Sequence, residues 1–151
     1  MASITNDLCV SFLDELLGGV HDLDTSGDTI KIALLKSADS LNGSYDVDTA
    51  NYSEVTGNSD EASGAGYTSG GTTLSGQVVA NASGSAYLDF TDASWTITGT
   101  ITAGGALIYN SSQSDKAIAV LDFGGDQTAN DQTFTIVFPI ADQNNAIIRL
   151  G

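Results

Sequence analysis

Trp95-Thr-Ile-Thr-Gly-Thr-Ile101, Gly105-Ala-Leu-Ile-Tyr-Asn110, Ala117-Ile-Ala-Val-Leu-Asp-Phe-Gly124 and Phe134-Thr-Ile-Val-Phe-Pro139 follow one another between Ser94 and Pro139. Each is a short run of β-branched, aromatic and small apolar residues, with glycine and polar residues gathered in the connections. Runs this short, of this composition and bounded by turn residues, build strands. Almost none of their side chains could carry catalysis, so the segment reads as architecture. Pro139 falls at the end of its run, where a missing amide does no harm.

The same signal extends outward from this block. Thr72 to Ala80 and Ala86 to Phe90 read as further strands, and Ala146 to Leu150 as a last one. Thr29 to Leu35 is the first, entered through the turn-rich Asp24-Thr-Ser-Gly-Asp28. Glycine-rich turns recur at roughly 8 to 12 residues, the spacing of antiparallel sandwiches and barrels. The expected fold is therefore all-β: an antiparallel β-sandwich, jelly-roll-like or Greek key, of about eight strands. At the N-terminal end, apolar residues at 4, 8, 9, 12, 13, 16, 17 and 20 predict one short amphipathic helix over 4–20. Thr5 or Asn6 could cap its start, and Gly18-Gly19 supplies a left-handed stop. Residues 36–71 are rich in Ser, Gly, Asn and Asp, with Tyr45, Val47, Tyr52, Val55 and Tyr67 as isolated anchors. They predict a long loop with one or two short strands, of the kind that binds something or is ordered by a partner. Residues 1–151 thus form a single domain with a strand-rich core over 72–150.

Composition narrows the partners. The 151 residues include 19 Asp and Glu against 4 Lys and Arg, a net charge of −15. Such a surface repels a phosphate backbone, and Lys31, Lys36, Lys116 and Arg149 are too scattered to form a basic stripe, so nucleic acid is not an expected partner. Anionic membranes are disfavoured for the same reason. The acidic excess suits solubility, a cationic protein partner or divalent cations. The N-terminal residues lack a basic leader, and Asp7, Asp14 and Glu15 interrupt the one apolar run, so no secretory signal is expected. No run of about 18 apolar residues is present. The single cysteine, Cys9, cannot form an intrachain disulfide and leaves the fold to its apolar core.

Candidate chemistry is sparse. His21 is the only histidine, and the sequence sets no nucleophile and no orienting acid beside it. Cys9 lies on the apolar face of the predicted helix, the setting of an inert buried thiol. Asp24-Thr-Ser-Gly27 differs from an aspartic protease loop by one inserted residue and has no second copy. Asp22, Asp24, Ser26, Gly27 and Asp28 match the first half of a calcium loop, which makes Asp22, Asp24 and Asp28 a weak metal candidate. The acid required at its twelfth position is replaced by Ala33. Asp89, Asp92, Asp122, Asp126 and Asp131 fall at strand ends and turns, where Asp serves local hydrogen bonding. Trp95 and Phe134 sit within alternating strands and are expected in the core rather than on a sugar platform. No catalytic residue, cofactor or firm metal site is expected.

The arrangement of an N-terminal helix, Asp28-Thr-Ile-Lys-Ile-Ala-Leu-Leu35, Glu54-Val-Thr-Gly57 and Gly64-Ala-Gly-Tyr-Thr-Ser-Gly-Gly-Thr-Thr-Leu74 resembles small virion structural proteins of tailed bacteriophages. Ala86-Tyr-Leu-Asp-Phe-Thr-Asp-Ala-Ser-Trp95, Ile101-Thr-Ala-Gly-Gly-Ala-Leu-Ile-Tyr-Asn110 and Lys116-Ala-Ile-Ala-Val-Leu-Asp-Phe-Gly-Gly-Asp-Gln-Thr128 extend the resemblance over nearly the whole chain. It implies a head decoration (cement) protein: non-enzymatic, made in the bacterial host cytoplasm, seated on the outer capsid surface and partnered by the major capsid protein. It also implies a homo-oligomer, often a trimer. The expected contact residues are Phe12, Leu13, Leu16 and Leu17 of the helix and Tyr45, Tyr52 and Tyr67 of the loop. The alternative expectation is a tail or head-fibre module that recognises a host-surface glycan, with calcium at Asp22, Asp24 and Asp28.

Overall fold

The computed structural model describes all residues, Met1 to Gly151. Ten strands and two α-helices follow in the order β1 (Asp7–Leu8), α1 (Val10–Leu17), β2 (Ile30–Leu35), α2 (Ser53–Gly57), β3 (Thr72–Thr73), β4 (Val78–Ala82), β5 (Ser85–Asp89), β6 (Ala93–Thr96), β7 (Thr100–Asn110), β8 (Lys116–Asn130), β9 (Thr133–Ile136) and β10 (Ile148–Leu150). The large sheet has the order β1-β8-β7-β2-β3, a second has β10-β5-β4, and β6 pairs with β9 alone. All these ladders are antiparallel. Residues from all three sheets join one cluster of 32 buried apolar side chains, which gives the sandwich-like all-β fold that the strand pattern predicts.

The quoted block forms the centre. β7 and β8 make a long hairpin, and β7 is buried without interruption from Ala103 to Asn110. A strand with one wet face would alternate, so both faces of the sheet are covered here. One cover is α1, which packs on β8. Another is the segment 36–71, whose Tyr52 ring stacks on Tyr109 at 4.5 Å and 6°. Trp95 and Phe134, cross-strand partners in β6 and β9, meet edge to face at 6.2 Å in the core, as expected. The ladder between β7 and β8 breaks where Gly104 alone faces the run Phe123 to Asp126, and the Gly104 amide turns to the Lys36 carbonyl instead.

The helix is shorter than its periodicity predicts. Residues 4–8 are extended, because Ile4 bridges Tyr45 and β1 pairs with β8, so the sheet edge claims backbone that a helix would have used. Neither Thr5 nor Asn6 caps α1: Cys9 is the N-cap without a side-chain bond, and the Val47 carbonyl accepts the Val10 amide at 2.8 Å. The stop is as expected, with Gly19 at φ +72° and the Val20 amide returning to the Glu15 carbonyl. The predicted strand over 72–80 is broken into β3 and β4 around Gly76, at φ +63°.

Segment 36–71 is ordered by contacts within the chain itself. It holds a 3₁₀ turn at Ala38–Ser40, the helix α2 and isolated bridges, and it is tied down from within by two adjacent carboxylates. Asp60, fully buried, accepts the amides of Asn42 and Gly43 and the Tyr45 hydroxyl at 2.8–3.1 Å. Glu61 accepts the hydroxyls of Tyr52, Tyr67 and Ser69 and the Gly70 amide at 2.6–2.8 Å. Polar loop backbone is affordable inside a compact domain only when its groups are paired, and these acids supply the acceptors.

Candidate functional site

Where α1 ends, its last turn lies over the start of β8 and the end of β7. Glu15 accepts from Lys116 and sits 2.9 Å from His21 Nε2, while His21 Nδ1 lies 2.9 Å from Asn110 Nδ2. Asn110 Oδ1 accepts the amides of Ser112 and Gln113, which fixes its Nδ2 as the donor end. That NH₂ group also donates to Asp28 Oδ2 at 2.7 Å. His21 Nδ1 must therefore accept, and its proton sits on Nε2 facing Glu15. Sequence reading missed this acid because Glu15 and His21 face each other only once the chain reverses at Gly18-Gly19. Both ring nitrogens are spent inside the fold and the side chain has no exposure, so His21 cross-links α1 to β7. Burial opposes the Glu15 charge, yet the bonds from Lys116 and His21 hold its carboxyl below the usual range.

The metal candidate dissolves in the same network. Asp28 is turned inward onto the Asp22 amide, Asn110 and Gln113, and Asp22 accepts the Asp24 amide, so the three acids close a turn. No group of three or more His, Cys, Asp and Glu side chains is arranged to hold a metal ion. Cys9 is fully buried, and desolvation with nearby Glu54, Asp7 and Asp46 pushes its thiol up to about 12.

The predicted contact residues separate into two sets. Phe12, Tyr45 and Tyr52 are buried in the chain's own core, which removes them as contacts, while the half-buried Tyr67 donates to Glu61 and receives the Leu34 amide. Leu13 and Leu16 are half-buried against the core. Leu17 alone stands free, at 91% exposure. Sequence periodicity could not separate them, because it marks an apolar face without showing how far the sheet covers it.

One concave apolar feature lies above the His21 network. A groove of about 230 Å³ runs between α1 and the β10-β5-β4 sheet, floored by Phe12, Leu88 and Ile148 and walled by Leu16, Leu23 and Val79, with Asp24 at its rim. The register places Val79, Leu88 and Ile148 in one row across the sheet. His21 reaches the groove with its carbon edge only, since its nitrogens are bonded elsewhere, so the lining is mainly apolar. No protein-family model, curated protein or solved structure matches this chain.

Proposed function

We propose that this chain is a structural protein of a tailed-phage virion, a decoration protein that binds the outer head shell through the major capsid protein and stabilises it without chemistry. The observation that carries the reading is the placing of large apolar side chains on an acidic, internally fixed surface. Leu17 is 91% exposed, Ile140 75% and Val137 73%, on a chain of net charge −15. Such residues on a rigid scaffold serve as contact anchors, and the surrounding charge selects a basic partner while suppressing indiscriminate association.

Several groups that chemistry would employ are committed to the fold. His21 is bonded at both nitrogens, Cys9 is buried, and Asp60 and Glu61 organise the 36–71 segment. The resemblance of the sequence blocks to phage virion proteins supports the same role, and assembly as a homotrimer on the shell belongs to the proposal. Its test is cryo-electron microscopy of the virion encoded with this chain, before and after removal of the protein. Ordered, stoichiometric density on the outer head supports decoration. Absence of the protein from purified particles, or density confined to the tail, overturns it.

A further inference from the structure

β4 is the longest edge strand of the molecule, and it is bare. Its inner edge pairs with β5 from Val78 opposite Asp89 to Ala82 opposite Ser85, without a bulge. The connection is the two-residue turn Ser83-Gly84, with φ of 51° and 88°. In such a hairpin the pair flanking the turn exchanges hydrogen bonds, and bonding alternates from there, which points the amides and carbonyls of Val79 and Asn81 outward. No backbone or side-chain partner reaches them. Val78-Val79-Ala80-Asn81-Ala82 carries no charge and no proline, the usual protections of an exposed edge. The other terminal strands of its own and the large sheet, β1, β3 and β10, are two or three residues long.

The apolar groove lies directly beside that edge. Val79, 53% exposed, belongs to both: its backbone is the free edge and its side chain is a groove wall. An added strand would therefore meet hydrogen-bonding groups and a pocket for a side chain together, the two components of peptide recognition by strand addition.

Charge decides the occupant. Asp24 lines the rim, and Asp22 is exposed in the same turn. No cation faces the groove: Lys116 is tied to Glu15, and Arg149 alternates with the groove residues Ile148 and Leu150 and donates to Asn144. A second copy would bring the same charge of −15. We propose that β4 and its groove receive an extended, lysine- or arginine-bearing segment of another protein as an added antiparallel strand, with one apolar side chain seated between Leu16, Leu23 and Val79. The surface stands on these observations alone, and only the identification of the segment's owner as the shell protein rests on the decoration reading.

The probe is a synthetic ten-residue peptide of alternating lysine and valine with one central leucine. Its control carries glutamate in place of lysine. Titrated into the full-length protein and followed by amide NMR, the lysine peptide is expected to shift residues 78–82 and the groove methyl groups, and to bind at least tenfold more tightly than the glutamate peptide. Val79→Lys and, independently, Asn81→Lys, both at exposed positions and checked for unchanged circular dichroism, are expected to weaken binding at least tenfold. Equal affinity for the two peptides, shifts elsewhere, or binding unaffected by both variants overturns the proposal. So does a dimer of the protein alone that either variant dissolves, because β4 would then be its own partner. Peptide binding by a protein that purified particles lack would overturn the decoration role and leave this surface intact. Shell binding that both variants retain would overturn the assignment of this surface to the shell contact and leave decoration intact.

Discussion

Asp60 shows how much one side chain can decide. Its buried carboxylate accepts the amides of Asn42 and Gly43, which lie nearer the surface, and the buried Tyr45 hydroxyl. Removing the acceptor leaves the buried Tyr45 hydroxyl unpaired at about 1–3 kcal/mol and returns the two loop amides to water, so Asp60→Ala is expected to lower the unfolding free energy by about 2 kcal/mol in urea titration. Asp60→Asn, which keeps one acceptor oxygen, is expected to lose less; an Asp60→Ala variant as stable as the parent would remove Asp60 as the organiser of the segment. Glu15 and Asp28 set the acid limit. Burial opposes both charges, but hydrogen bonds from Lys116 and His21, and from Asn110, the Asp22 amide and Gln113, outweigh it and depress both carboxyls. Depressed folded values mean that the unfolded chain binds protons first. Their contribution is complete above the ordinary carboxylate range, about pH 4, and is lost as pH falls through the folded values. Urea titrations at pH 7, 5, 4 and 3 are expected to show that decline, and Glu15→Gln is expected to flatten it below pH 4. A variant profile parallel to the parent's would show that Glu15 is not a source of the acid limit. Neither hub was legible in the sequence, because an Asp in a loop and an Asp in a core look alike until the donors that surround them are placed.

Among the elements, β2 carries the clearest division between pattern and packing. Its apolar run is plain in the sequence, and the strand forms within one residue of its expected start. What lies along its outer edge is not plain. There β3 pairs for two residues only, and the chain before it seals the rest: the Ala62 amide bonds the Leu34 carbonyl and the Tyr67 hydroxyl takes the Leu34 amide. Gly71 makes this closure possible, with φ of +70° and a position where a Cβ would lie 1.8 Å from the Ile32 carbonyl oxygen. Gly71→Ala combines left-handed strain with a backbone clash, and is expected to cost about 3 kcal/mol by thermal or urea unfolding. A loss within about 0.5 kcal/mol would show that the segment can withdraw from β2 at little cost. Helix α1 gives the complementary lesson. Its apolar spacing runs on through Ile4 and Leu8, but β8 offers extended backbone a row of partners, and β1 forms at the expense of a helical turn.

At the scale of the molecule, the acidic surface and its few exposed apolar side chains set how copies and partners meet. Leu13 and Leu16 pack against the core, so substitutions there would report on folding. Leu17→Asp is the informative change, because the side chain is 91% exposed. It is expected to leave stability within about 0.5 kcal/mol and to weaken assembly on the shell or between copies at least tenfold, read by light scattering and particle binding. An unchanged oligomeric state together with unchanged binding would remove α1 from the contact. Fold class followed from local chemistry alone: β-branched runs cut by glycine become antiparallel strands in almost any context, and a lopsided charge stays lopsided however the chain folds. Which apolar residues remain outside, which acids turn inward and which strand is left unpaired follow from contacts between residues far apart in the chain. Glu15 meets Lys116, Asp28 meets Asn110, and β4 lacks a neighbour only because β10 occupies the far side of β5. Such pairings depend on the closure of the whole sandwich, a property that no local run of residues contains.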